Sequence, residues 1–354
     1  MVRAVIADDS AVMRETLGKI LEAGGLDVVG RAKNGTEAVT LITDLEPDVA
    51  TIDIQMPGLT GHEVIEQVMA RKPTPMLVIS SQTTKNADAT FDALEAGAVD
   101  FIAKPSGDNS VDIWSKQDEI VDQVRAVAQA DVGTVERQSK PQNETQRPES
   151  TTIAVTDEFP NDPTLVIGAS TGGPRVVEQV LSELPARAGL RILVVQHMAD
   201  HYTERFAKRL NERTTYDIRE ARETETVGPG EALLAKGGTH MAVTDWSRGE
   251  LTVVHDDGPQ RHNVKPAIDV TMETAADTVR GNLAGVIMTG MGADGADGLA
   301  DIKAAGGKAI VQDEATSRVY GMPKVAAERV DVDMTLPKSR LAEGVVNAFR
   351  GWSA

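Results

Sequence analysis

The chain contains no cysteine, which excludes disulfides, thiolate catalysis and cysteine-ligated metal centres. Aromatic residues make up only 3% of its 354 positions, so aliphatic side chains and alanine must fill the core. No apolar run approaches the about 18–20 residues needed to cross a bilayer. The N-terminal MVRAVIADDS carries charge inside its apolar stretch, unlike a signal peptide. The expectation is a cytoplasmic protein without membrane insertion. Base is scarce as well: 36 Lys and Arg face 54 Asp and Glu, a formal charge of −18. A field of that sign repels nucleic acid and anionic lipid, which argues against a DNA-binding output. The acid excess suits a salt-rich cytoplasm, or simply an acidic cytosolic protein.

What the chain does have is length for two domains, and 41% hydrophobic residues to give each a core. Short apolar runs alternate with helical patterns through the first 130 residues: VRAVIA, DVVGRA, DVATIDI, PMLVIS and VDFIA. Such alternation predicts a parallel sheet covered on both faces. Residues 138–150, QSKPQNETQRPES, hold no aliphatic side chain, and such a stretch cannot offset its ordering entropy. The expected division is a first domain over 1–130, a flexible linker over 131–162 and a second domain over 163–354. In the second, TLVIGAS, LRILVVQH, LAGVIMTG and KAIVQD read as buried strands. Between 216 and 257, the segments EALLAKGG, HMAVTD and ELTVVHDD predict an antiparallel patch with hairpins.

Polar residues gather at the ends of the first domain's apolar runs. Asp8 and Asp9 follow VRAVIA, Asp53 lies in DVATIDI, Ser80 follows PMLVI and Lys104 closes VDFIAK before Pro105. The carboxyl ends of strands in an open parallel sheet share one edge, where ligands bind. Clustered carboxylates need a cation among them, and hard oxygen ligands suit Mg2+. A phosphoryl group on one of those oxygens would be neutralised by the metal and the lysine, so the arrangement points to a phospho-switch.

These residues resemble the response-regulator receiver domain, which implies a flavodoxin-like (βα)5 fold. By that resemblance Asp53 is the phosphoacceptor. Asp8, Asp9 and Asp53 hold Mg2+ with the main-chain oxygen of Gln55. Ser80 is the switch hydroxyl, Phe101 the switch aromatic and Lys104 the lysine before a proline able to take the cis form.

The second domain offers a different chemistry. GASTGGP places Ser170 on a glycine-rich turn between a strand and a helix, satisfying G-x-S-x-G. His197 ends LRILVVQH, and Asp294 lies in GMGADG after LAGVIMTG. A hydroxyl becomes a competent nucleophile when an imidazole takes its proton and a carboxylate orients that imidazole. The order Ser, His, Asp differs from the Ser, acid, His order of α/β-hydrolases. Gly290, Gly292 and Gly295 also satisfy the G-x-G-x-x-G dinucleotide spacing, with Asp313 about twenty residues on. That alternative would place the Asp294 charge against a pyrophosphate, in a strand late in its domain.

The segments GASTGGP, PGEALLAKGGTHMAV, HNVKPAIDV, TGMGADGADGL and QDEATSRVYGMPKVA are similar to the catalytic domain of CheB-type chemotaxis-receptor methylesterases, and ALEAGAVDFIAKPS is similar to the receiver of that family. The resemblance implies a doubly wound, mostly parallel α/β catalytic domain with an antiparallel hairpin region. It implies Ser170 as nucleophile, His197 as general base then acid, and Asp294 as orienting carboxylate. The N–H groups of Thr171 and Met291 are the implied oxyanion donors. The implied activity is phosphorylation-stimulated removal of methyl esters from receptor glutamates, and deamidation of receptor glutamines, with no cofactor beyond Mg2+ at the receiver. The implied partners are methylated chemoreceptor cytoplasmic helices and a chemotaxis histidine kinase, with the chain monomeric. Lys236 is a departure, since many relatives carry proline there.

Of the other histidines, His240 and His262 fall in family-like segments and line the cleft or serve structure. His255 with Asp256 and Asp257 reads as a solvated hairpin end, and His62 and His201 fall near helix starts.

Overall fold

The structure, a computed structural model, describes residues 1–81, 84–104, 113–132, 159 and 163–350. Its two compact units are Met1–Glu136 and Arg137–Ala354. Pro105 and nearly all of the expected linker lie outside the described residues.

In chain order the first unit contains β1 (Arg3–Ala7), α1 (Ala11–Ala23), β2 (Asp27–Ala32), α2 (Gly35–Leu45) and β3 (Val49–Asp53). It continues with α3 (Gly61–Arg71), β4 (Met76–Ser81), α4 (Thr84–Ala96), β5 (Asp100–Lys104) and α5 (Gln117–Ala128). The sheet order is β2-β1-β3-β4-β5, all parallel. The helices begin where the sequence supplies caps. Ser10 accepts from Met13 N, Asn34 accepts from Glu37 N, and Thr60 with Glu63 closes a capping box. Caps of this kind contribute about 1 kcal/mol each. Leu17, Ile20 and Leu21 of α1 share a buried cluster with Ile120, Val124 and Val127 of α5 on one face of the sheet.

The second unit contains β6 (Thr164–Ala169), α6 (Gly173–Glu183), β7 (Arg191–Gln196), α7 (Asp200–Arg213), β8 (Asp217–Glu220), β9 (Thr224–Val227), β10 (Glu231–Leu234), β11 (His240–Ser247) and β12 (Glu250–Asp256). After these come α8 (Ile268–Thr278), β13 (Leu283–Ile287), α9 (Ala296–Ala304), β14 (Lys308–Gln312), α10 (Met322–Arg329), β15 (Met334–Leu336) and α11 (Leu341–Arg350). Seven strands form a parallel sheet in the order β15-β14-β13-β6-β7-β10-β8. The central strands β6, β7 and β13 are buried throughout, as expected of strands covered on both faces.

A smaller antiparallel sheet, β11-β12-β9, accounts for only part of the expected hairpin patch. EALL departs from the sequence reading: β10 lies between β7 and β8 in the parallel sheet. A four-residue run is too short to show whether it alternates, and its partners are remote in sequence. Helix α10 was also not expected, although Pro323 at its start is a common first-turn residue.

Candidate active sites

In the first sheet β1 and β3 are neighbours although β2 intervenes in sequence. At such a reversal of strand order a crevice opens beyond the strand ends. Asp53 ends β3 there, and Asp8 and Asp9 follow β1. Lys104 reaches across from the end of β5, with Nζ 2.8 Å from Asp8 Oδ2 and 2.9 Å from Asp53 Oδ2. Arg14 holds the acidic pair from behind, donating to the carbonyls of Asp8 at 2.7 Å and Asp9 at 2.9 Å.

Burial pushes the Asp53 carboxyl above its ordinary value; the nearby Asp8 charge adds to this, while Lys104 and the Gln55 N–H oppose it. Burial also acts to lower Lys104, but the charges of Asp53 and Asp8 outweigh it and raise the ammonium. Ligand oxygens of Asp8, Asp9 and Asp53 lie within 4.8 Å of one another. Three carboxylates against one ammonium leave a local negative excess, and oxygen donors so placed fit a hard divalent ion such as Mg2+. Ser80 is wholly buried on the neighbouring β4, inside the strand rather than past its end. Phe101 packs edge-to-face on Phe91, ring centroids 5.9 Å apart. A groove of about 590 Å³ opens beside these groups, lined by Asp9, Gln55, Met56 and His62 among others.

In the second sheet, the chain runs outward from β6 through β7 and later returns to β13 on the other side of β6. The reversal falls between β6 and β13, and all three candidate catalytic residues lie at that edge. Ala169 pairs with Gln196, and His197 N donates to Ala169 O at 3.0 Å, so Ser170 and His197 occupy the next positions on adjacent strands. Ser170 N donates to Thr289 O at 3.0 Å, tying the serine turn to the β13 end. Gly172 begins α6 at φ 74°, a left-handed conformation, and a Cβ there would lie 2.6 Å from Arg318 Cβ.

The imidazole and carboxylate meet directly, His197 Nε2 lying 2.8 Å from Asp294 Oδ2. Asp294 is 2% exposed and also accepts from Ile268 N at 2.7 Å and Asp269 N at 3.1 Å. Burial acts to raise its carboxyl, yet the His197 bond and charge with those two N–H groups outweigh it and hold it below the usual value. Asp294 therefore stays ionised and fixes one ring nitrogen, leaving Nδ1 to face other groups. Thr171 is buried and Met291 is 40% exposed. Neither N–H is taken up by another described residue.

Two buried polar residues hold this turn together, and the sequence analysis passed over both. Gln196 Nε2 donates to Ser170 O at 2.9 Å and His197 O at 3.1 Å, bridging the two backbones. Thr289 Oγ1 lies 2.9 Å from Thr171 O and accepts from Val319 N at 2.9 Å. For Gln196 the available signal was a polar residue closing the apolar run ILVV; Thr289 lies two residues past β13. Replacing Gln196 by Met keeps length but takes a donor from two carbonyls, of which Ser170 O keeps Gly173 N at 2.8 Å, so Gln196→Met is expected to destabilise the second unit by about 1–2 kcal/mol. A urea midpoint unchanged from wild type would rule that out.

The remaining histidines divide. His240 is buried and bonded to Pro259 O and Ala267 N. His255 bonds Ala221 O at 2.9 Å, and His262 is paired with Asp269 at 2.8 Å. His62 lies in α3 and His201 in α7, both in the first turn.

Residues 165–345 match the family model for CheB methylesterase, and residues 4–112 match that for the response regulator receiver domain. A relative from Haloarcula marismortui, named protein-glutamate methylesterase/protein-glutamine glutaminase, is 47% identical over 98% of each chain. The chain belongs to the CheB methylesterase family. A second member with the same name, from Natronomonas pharaonis, is 48% identical, again over 98% of both chains. The crystal structure of the Thermotoga maritima CheB methylesterase catalytic domain covers 55% of this chain and 99% of its own, with 34% identity and a TM-score of 0.50. No helix among the described residues is long and apolar enough to cross a membrane.

Proposed function

We propose that the chain hydrolyses methyl esters of glutamate side chains on chemoreceptor cytoplasmic helices, and deamidates receptor glutamines, under control of phosphorylation at Asp53. The observation that carries this is the His197–Asp294 pair set beside Ser170 at the reversal of a parallel sheet, in a chain similar over its length to enzymes of that name.

His197 takes the Ser170 proton as the hydroxyl oxygen attacks the γ-carbonyl. The oxyanion is received by the N–H groups of Thr171 and Met291, which typically contributes about 3–4 kcal/mol to the transition state. The imidazolium, stabilised by Asp294, returns the proton to the leaving oxygen, and methanol departs. Water, deprotonated by His197, then attacks the acyl-serine and releases the glutamate carboxylate. With a glutamine side chain the leaving group is ammonia. The dinucleotide alternative is disfavoured by Asp294 itself, whose buried charge occupies the turn where a pyrophosphate would lie.

In the receiver, Asp53 would accept the phosphoryl group from a histidine kinase. Asp8, Asp9 and Asp53, with the Gln55 carbonyl, would hold Mg2+, which when bound supplies positive charge to the phosphoryl oxygens. Lys104 and Ser80 would respond to those oxygens, and Phe101 to the movement of Ser80. The test is methanol release from methylated receptor membranes, with and without a small acyl phosphate, at low and molar salt. Stimulation by the donor is expected for the wild type and absent in Asp53→Asn. An Asp53→Asn protein stimulated as strongly as wild type would remove the regulatory half of the proposal, and failure of the wild type to release methanol would remove both halves.

A further inference from the structure

We propose that Asp269 and His262 form a second carboxylate–imidazole pair that positions Asp294 and sets the pH range over which His197 works. The inference rests on the Ser170–His197–Asp294 reading and adds a layer behind it.

Helix α8 is preceded by Ala267, which offers it no side-chain cap. Its first N–H groups go instead to Asp294, from Ile268 at 2.7 Å and Asp269 at 3.1 Å. Placement of Asp294 therefore depends on placement of the first turn of α8. That turn is fixed by the Asp269 side chain, which is wholly buried. Asp269 Oδ1 accepts from Gly298 N at 2.7 Å in the first turn of α9, and Oδ2 lies 2.8 Å from His262 Nε2. A continuous path thus runs from His262 through the Asp269 carboxylate and backbone to Asp294 and His197.

The loop bearing His262 is built to hold it there. His262 and Asn263 take φ of 51° and 60°, left-handed conformations that non-glycine residues seldom adopt. Wholly buried His240 braces both ends of the loop. It accepts from Ala267 N at 3.0 Å through Nδ1, so Nε2 carries the proton and donates to Pro259 O at 3.0 Å. His262 is meanwhile about one-third exposed, so this end of the path meets solvent.

The charges facing Asp269 can be enumerated by element. His262 and Arg261 come from the loop, Arg261 Nη2 at 4.0 Å and its Nη1 paired with Glu273 of α8. Asp294 comes from the β13–α9 turn, and its charge, after burial, helps raise the Asp269 carboxyl while Gly298 N–H and His262 oppose that. Asp297 of α9 lies within 4.8 Å of the His262 and Asp269 ligand atoms and is itself paired with Arg329 at 3.2 Å. Arg261 and Arg329 thus lie on Asp269 and Asp297, but the four carboxylates of the group, with Glu273 and Asp294, outnumber these two fixed cations. Within it, an imidazole is the side chain whose charge changes across the physiological range.

The two members of the pair should act in opposite directions. Asp269→Asn keeps an acceptor for Gly298 N–H but removes a negative charge that acts on Asp294, the partner of His197. His262→Gln keeps an N–H for Asp269 but removes the group that can become a compensating cation. In full-length protein, with methanol release from methylated receptor membranes measured against pH, Asp269→Asn is expected to move the acid limb of kcat/KM to lower pH. The expected displacement is about half a unit or more, with KM little changed. His262→Gln is expected to move the same limb to higher pH. Loss of a merely structural contact would lower the plateau and leave the limb in place. Limbs coincident with wild type in both variants, or displaced in the same direction, overturn the inference; should Asp269→Asn not fold, His262→Gln alone decides by its direction. Retained activity in Ser170→Ala or His197→Ala would instead overturn the triad reading beneath it.

Discussion

Ser170→Ala is expected to lower methanol release from methylated receptor by about 10⁴-fold or more, with thermal stability close to wild type. The serine is half-buried at the start of a tight turn, and its backbone, not its hydroxyl, carries the hydrogen bonds to Thr289, Gly173 and Gln196. Removing Oγ therefore removes the proposed attacking atom while sparing the turn. Residual rate would come from the N–H groups and from binding. A single-turnover assay within about tenfold of wild type would mean that another group attacks. Acidification offers a second view of the same centre. Asp294 is held below the ordinary carboxylate value by His197 and two backbone N–H groups, so activity lost in mild acid is not expected to report protonation of this carboxylate.

Lys104→Met is expected to destabilise the receiver by about 3–5 kcal/mol near neutral pH in the absence of divalent ions, because removing one partner strands buried opposite charge. Lys104 is the ammonium between Asp8 and Asp53, which are 1% and 7% exposed. The sign with pH follows from linkage. Asp53 is raised in the folded state, chiefly by burial, so the folded chain binds that proton more tightly and stability falls as pH rises through the folded value. Without Lys104 the Asp53 carboxyl rises further. The deficit is then largest at neutral pH and shrinks toward about pH 4, where the unfolded carboxyls also protonate. Denaturation midpoints at two pH values measure this. A deficit independent of pH would point to lost packing by the lysine stem rather than to charge.

Much of this was legible in the residues. The strand-end carboxylates of the first domain could be placed because each follows an apolar run, and parallel strands bring their ends to one edge. The same logic put Ser170, His197 and Asp294 on one edge. What could not be read was pairing at long range. EALL was assigned to the antiparallel patch, yet β10 pairs in parallel with β7 and β8, and nothing within four residues encodes that choice. The partners of Gln196 and Thr289 could not be read for a related reason: each bonds carbonyls of residues brought close only by the completed sheet. The partner of His262 is seven residues away, but its side chain meets Asp269 only because two successive left-handed residues turn the loop back.

The capping of α8 by Asp294 has an experimental corollary. One carboxylate both orients an imidazole and terminates a helix supplied by another part of the chain, so chemistry and architecture share an atom there. Substitutions at position 294 will confound turnover with thermal denaturation, and a library screened on activity alone would misassign scaffold failures as catalytic ones. Rate and melting behaviour should be recorded together for every variant at that position.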